Sequence, residues 1–222
     1  MPSHHGIIFQ GQACIDIKVT VTEHKEIIPH ILAAYALSGC GTVAQCWGIW
    51  KGTVVKVLKA GNTLPNIGNV MASKAKVVQE ATCFMASCYG EKNKPSTMTA
   101  LRQRVWKYKT GRANILSAAK LQSLPPTDES FLLNAMRAHF QACIWTHAAE
   151  SSPPLLDPLE HGWMQHTVNK TLAPLMLPSD VPPAPDSILK LIKCSCEQAH
   201  REEGSRGKCP GARGSSKKFK LV

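Results

Sequence analysis

Between residues 26 and 150, apolar side chains recur every three or four positions, and glycines at 39, 61 and 90 close successive runs. A period near 3.6, punctuated by helix-stopping residues, restricts this stretch to short α-helices packed on one another. Pro29 suits a first helical turn, and Ile31, Leu32 and Tyr35 follow at helical spacing as far as Gly39. Gly52 and Thr53 open a second helix with Val54, Val57 and Leu58 on one face, closed by Gly61. Residues 73–89 make a third, apolar through Val77, Ala81, Phe84, Met85 and Cys88. Residues 97–108 make a fourth, with Leu101 and Val105 inward and Arg102, Arg104 and Lys107 outward. The fifth is the strongest and runs from Asp128 to residue 149 or 150. Thr127 caps it, Asp128 and Glu129 complement its dipole, and Leu132, Met136, Phe140, Cys143 and Ile144 form its expected stripe.

The expected fold class is therefore mainly α. A helical subdomain occupies residues 26–150, with a helix–loop–helix at 28–60. In front of it, residues 1–25 hold one orphan strand at 15–21 (IDIKVTV), where apolar and polar residues alternate. Behind it, residues 151–187 contain eight prolines and read as an irregular extension. Residues 188–222 read as a short apolar helix and a disordered tail of Gly, Ser, Lys and Arg. The N-terminus lacks the basic and apolar regions of a signal peptide, and the longest apolar run, residues 31–37, is too short to span a bilayer. Nine irregularly spaced cysteines, an odd number, suit reduced thiols. These features point to an intracellular protein of the nucleus or cytoplasm, neither secreted nor bound to a membrane.

The formal charge is +11, and residues 91–150 carry nine lysines and arginines against four carboxylates. Such an excess favours DNA through counterion release, although a solvated basic surface has the same composition. Residues 36–58 read ALSGCGTVAQCWGIWKGTVVKVL: a helix closed by glycine, a loop holding Gly48 and Lys51-Gly52, then a second helix at once. In such a loop, glycines allow close backbone approach, Lys51 offers a cation, and the second helix presents its amide end to a phosphate.

This segment resembles the helix–loop–helix of the flap-endonuclease (XPG-type, PIN-like) superfamily. There, a Leu-x-Gly-Cys-Asp stretch precedes a Gly-hydrophobic-Gly-Lys turn. Four further segments resemble a group of mobile-element-derived animal proteins in that superfamily. They are Leu124-Pro-Pro-Thr-Asp128, Arg137-Ala-His-Phe-Gln-Ala-Cys-Ile-Trp145, Glu160-His-Gly-Trp163 and Pro182-Pro-Ala-Pro-Asp-Ser-Ile-Leu-Lys-Leu-Ile-Lys-Cys194. The resemblance spans residues 12–196 and implies DNA as a partner and Mg²⁺ as a cofactor. Two departures matter: Gly41 stands where the family has a metal-binding aspartate, which leaves no side chain to ligate Mg²⁺, and Trp50 stands where the turn has its second glycine, where its bulk should hinder backbone approach to a phosphate. Metal-assisted phosphodiester cleavage needs clustered carboxylates, often around two ions about 4 Å apart. Before residue 80 there are only Asp16, Glu23 and Glu26. No catalytic residue is assigned and no Mg²⁺ is expected to bind.

The expected function is thus a catalytically inactive fragment of a flap-endonuclease-like protein that binds DNA weakly and without specificity. Its contacts would come from Gly48, Lys51, Gly52, Lys56 and Lys59, together with Arg102, Arg104, Lys107 and Arg112. Trp106 and Tyr108 interleave with the last group as stacking aromatics, or tuck inward from an ordinary exposed helix face; the second reading is favoured. One alternative is a protein partner docking on residues 151–187 around Trp163. Others are a truncated gene for an active metal-dependent nuclease and a half-site completed by another chain. Two metal sets were weighed. His139, Cys143 and His147 span two helical turns, about 12 Å, so one ion reaches two at most, and a core cysteine between half-buried histidines is the simpler reading. Cys194, Cys196, His200 and Cys209 could hold Zn²⁺, but their spacing departs from paired C-x₂₋₄-C ligands.

Overall fold

A computed structural model of the protein describes residues 7–10, 13–112 and 121–178, with side chains over residues 15–110 and 121–178. The architecture is mainly α. A hairpin of β1 (Ile7–Gln10) and β2 (Ala13–Asp16) leads into α1 (Ile17–Glu23), α2 (Ile28–Leu37), α3 (Lys51–Lys59), α4 (Lys74–Cys88), α5 (Met98–Arg112) and α6 (Asp128–Thr146). A 3-10 turn at Pro158–His161 and a second hairpin, β3 (Trp163–Gln165) with β4 (Leu172–Pro174), follow.

Helix starts obey local chemistry. Ser73 accepts from the Lys76 amide at 3.4 Å to cap α4. Thr127 does the same for Ser130 in α6 at 3.4 Å, with Asp128 and Glu129 in the first turn. α5 borrows its cap from another helix, because Asp128 of α6 accepts from the Met98 amide at 2.6 Å and the Thr99 amide at 3.3 Å. One carboxylate thus stabilises two positive helix ends and locks α5 to α6. α2 ends at Gly39, whose φ of +104° a side chain would resist; a Cβ there would stand 2.7 Å from Gln45.

The core lies between α2, α3, α4, α5 and α6, around Leu37, Leu58, Met85, Leu101 and Phe131. Its helix faces differ from two of the expected ones. On α6 the inward face is Phe131, Ala135, Met136, Ala138, Ala142 and Cys143, while Leu132 and Ile144 are nearly half exposed. On α2 it is Ala33, Ala34, Ala36 and Leu37, leaving Ile31, Leu32 and Tyr35 outward. In both helices alanine supplies the contact. Small side chains let helix axes approach closely, so burial follows the alanines rather than the larger residues beside them.

The N-terminal expectation is also corrected. The segment 15–21 is not one strand, and its extended part is paired: β2 ends at Asp16 and runs antiparallel to β1, with Ile8 opposite Ile15. From Ile17 the chain is helical, because Asp16 accepts from the Val19 amide at 3.1 Å as an N-cap. Thr20 and Thr22 then bond back to the carbonyls four residues earlier, each at 2.8 Å. Capping chemistry overrides the two-residue alternation. The extension is less irregular than its prolines imply: Trp163 pairs with Pro174 and Gln165 with Leu172. The turn at Pro158–His161 packs against α6 and carries the β3–β4 hairpin, and the first compact unit runs to Met176. The expected short helix at 187–192 and the tail lie outside the described residues.

Candidate nucleic-acid interface

The loop that carries the resemblance holds its lysine for itself. The Lys51 ammonium donates to the Tyr35 carbonyl at 2.8 Å, to Ser38 Oγ at 2.8 Å and to the Gly39 carbonyl, and lies 3.7 Å from the Tyr35 ring centre. Lys51 therefore closes the carbonyl end of α2 from the first turn of α3. Burial lowers its pKa, opposed by nearby Cys40. A phosphate at this loop would have to draw the ammonium away from those acceptors. Gly48 has φ +76° and is exposed between Trp47 and Trp50, themselves 59% and 71% exposed. Gly41 and Gly52 have nothing within 4 Å of where a Cβ would stand, so the backbone here is open to solvent.

Farther along α3 the positions Thr53, Lys56, Val57 and Ala60 share one face by their spacing of three and four. They form one wall of a groove of about 450 Å³. The opposite wall is Ser87 and Gly90 at the end of α4, then Glu91, Lys92 and Lys94, with Asn62 at the base. Lys56, Lys92 and Lys94 are exposed. Arg104 of α5 reaches the outside of the same loop, donating to the Asn93 carbonyl at 2.9 Å and pairing with Glu91 at 3.4 Å. One loop thus links two basic clusters that are widely separated in sequence. Lys92 and Lys94 escaped the sequence reading; the run Glu91-Lys-Asn-Lys94 directly after the helix-ending Gly90 was the available signal.

The remaining expected contacts divide. Lys59 and Lys107 are exposed on α3 and α5. Arg102 donates to the Pro125 carbonyl and is half buried, its pKa lowered by burial against the opposing influence of Tyr89. Lys109 donates to the Ser123 carbonyl at 2.7 Å. These two fasten α5 to the following chain. The Arg112 side chain lies outside the described residues. Trp106 and Tyr108 do not tuck inward, as had been favoured; they are 49% and 58% exposed. Leu101 and Val105 already fill the buried stripe of α5; Trp106 points away from it, while Tyr108 shares the face of Leu101 one turn beyond Val105 and is exposed there.

The segments Arg137–Trp145 and Glu160–Trp163 prove to be one contact. The Arg137 guanidinium donates to the Gly162 carbonyl at 3.0 Å and to the Leu175 carbonyl at 3.2 Å. His139 and His161 stack with centres 5.7 Å apart, and Phe140 meets His161 at 5.4 Å. Gly162 has φ +80°, and a Cβ there would stand 2.7 Å from the Leu133 carbonyl oxygen. His139 Nδ1 accepts from the Gly68 amide at 3.2 Å, and its Nε2 lies 3.7 Å from Cys143 Sγ. Burial, helped by the His161 ring, lowers the His139 pKa to about 4, and burial lifts the Cys143 thiol to about 11. His147 turns to the Cys143 carbonyl at 2.9 Å. The three side chains thus make packing and backbone contacts on α6, with His139 and Cys143 buried.

Several of the described carboxylates are similarly occupied. Asp16, Asp128 and Asp157 cap helical turns, Glu91 pairs with Arg104, and Glu80 accepts from the Asn66 and Ile67 amides at 2.9 and 3.1 Å. Among the described residues, no three His, Cys, Asp or Glu side chains converge as a metal-sized group. Cys194, Cys196, His200 and Cys209 lie outside the described residues. No described helix is long and apolar enough to cross a membrane. No protein-family model, curated protein or solved structure matches the chain. The features in hand define a small, mainly helical domain with one basic, grooved face.

Proposed function

We propose that this protein is a non-catalytic, flap-endonuclease-like DNA-binding domain of the nucleus or cytoplasm. Its contact with DNA is non-specific and electrostatic. The supporting observation is the joining of Lys56, Lys92 and Lys94 around one groove, with Arg104 on the same loop and Lys59 and Lys107 exposed on the helices beside it. Phosphates are attracted to several cations at once, and no base-reading geometry is required. Several described carboxylates, among them Asp16, Glu80 and Asp128, are spent on helix caps and loop amides, which supports the non-catalytic half of the reading.

The test is binding of the intact protein to labelled duplex DNA at two salt concentrations, beside a cleavage assay with Mg²⁺ and Mn²⁺. Affinity is expected to fall steeply with salt, with a log–log slope near −0.9 per phosphate neutralised. Combining Lys56→Gln with Lys94→Gln should shallow that slope by about 2. Affinity that ignores salt, or turnover above a mock-purified control, refutes the proposal.

A second reading rests on the extension, where Leu155 and Val168 are 100% and 84% exposed and Met164, Leu172 and Met176 are about half exposed. In that reading a protein partner docks on residues 151–187. A partner captured by the intact chain should be lost from Leu155→Ser/Val168→Ser, and its retention would count against the idea.

A further inference from the structure

We infer that the groove between α3 and residues 90–94 seats one nucleotide of a single-stranded nucleic acid, so that the protein prefers single strands to duplexes. This rests on the proposed reading of the same face as a phosphate-binding surface. The groove is built in two chemistries. Part of its lining, Val57, the exposed Ala60 and Gly90, carries no charge. Its rim is cationic, with Lys56 on one side and Lys92 and Lys94 on the other. None of these three ammonium groups donates to a described neighbour. The one carboxylate on the rim, Glu91, pairs with Arg104 at 3.4 Å, which lessens its repulsion of a phosphate.

At the base, Ser87 Oγ donates to Asn62 Oδ1 at 3.0 Å and Asn62 Nδ2 donates to the Val57 carbonyl at 3.1 Å. The amide is thereby fixed in orientation, while its second N–H and the remaining oxygen lone pair stay available for hydrogen bonds. A volume of about 450 Å³ suits one nucleotide unit rather than a helix. A flat base can lie on the apolar part with its polar edge toward Asn62 while the flanking phosphates meet the lysines. Bases in a duplex are stacked and paired inward, so they enter such a groove only at the cost of flipping. A single strand offers them at once.

The experiment compares binding of the full chain to a fluorescein-labelled oligothymidylate and to a duplex of equal length, by anisotropy at one salt concentration. The single strand should bind roughly fivefold tighter or more, a difference of about 1 kcal/mol. Ala60→Trp fills the groove without altering charge and should remove that preference. Lys56→Gln, which leaves the groove open, should weaken both ligands and keeps the comparison meaningful should Ala60→Trp fold poorly. Equal affinity for the two ligands, or a preference that survives in folded Ala60→Trp, overturns the inference and leaves the basic-surface reading intact. Failure to bind either ligand overturns both.

Discussion

Acid should loosen the contact between α6 and the extension, and His139 sets the scale. The imidazole is 3% exposed, accepts from the Gly68 amide and stacks on His161, so a proton on Nδ1 must displace an N–H donor and enter a buried site. Its pKa falls from 6.5 to about 4, so the folded chain binds this proton less tightly than the unfolded one. Stability from this group is therefore complete above about pH 6.5 and lost as the pH falls to about 4. A gap of about 2.5 units at 1.36 kcal/mol each gives about 3 kcal/mol, a large share of a small domain's stability. The perturbation is His139→Asn, whose side-chain oxygen can take the Gly68 N–H but carries no titrating group. Urea midpoints of both proteins, converted to unfolding free energies at steps from pH 7 to pH 4, isolate the effect because every other titrating group is shared. The wild type should lose about 3 kcal/mol more than the variant over that range. Parallel profiles would show that His139 is protonated in the folded chain without penalty, and the argument from burial would fail.

Two other substitutions probe how residues were assigned. Arg137→Met removes the guanidinium from the Gly162 and Leu175 carbonyls, so about 1–3 kcal/mol should be lost and residues 158–175 should become the first site of limited proteolysis. Cleavage elsewhere first would show that the strap is not held there. Lys51→Met should cost about 1–2 kcal/mol in thermal or urea unfolding, through the opened end of α2, yet leave the salt slope of DNA binding unchanged. A normal unfolding midpoint with a shallower salt slope would return Lys51 to the phosphate.

Much of the helical framework was legible because its signals are local. Thr127 and Ser73 cap the helices they precede, Gly39, Gly61 and Gly90 have positive φ just beyond helix ends, and Pro29 sits in a first turn. Each depends on chemistry within about four residues, which sequence displays directly. The faces of α2 and α6 were not legible. Whether Ala135 or Leu132 turns inward depends on how closely a neighbouring helix approaches, and hydrophobicity alone ranks them in the wrong order. The strand expected at 15–21 failed for the opposite reason: a local cap, Asp16, was present and was outweighed by alternation.

The site shows the same division, with a consequence for the motifs themselves. The segments that carry the resemblance to flap endonucleases are, in this structure, chiefly devices for packing. Asp128 of Leu124–Asp128 caps α5, Pro125 receives Arg102, Arg137 holds Gly162 and Leu175, and Lys51 closes α2. The groove, by contrast, draws Lys56 from one motif and Lys92 and Lys94 from a loop that belongs to none. Residues committed to buried or capped contacts cannot drift without cost, whereas exposed lysines can be exchanged or moved while the face stays basic. The binding chemistry has to be read from the side chains that the scaffold leaves uncommitted.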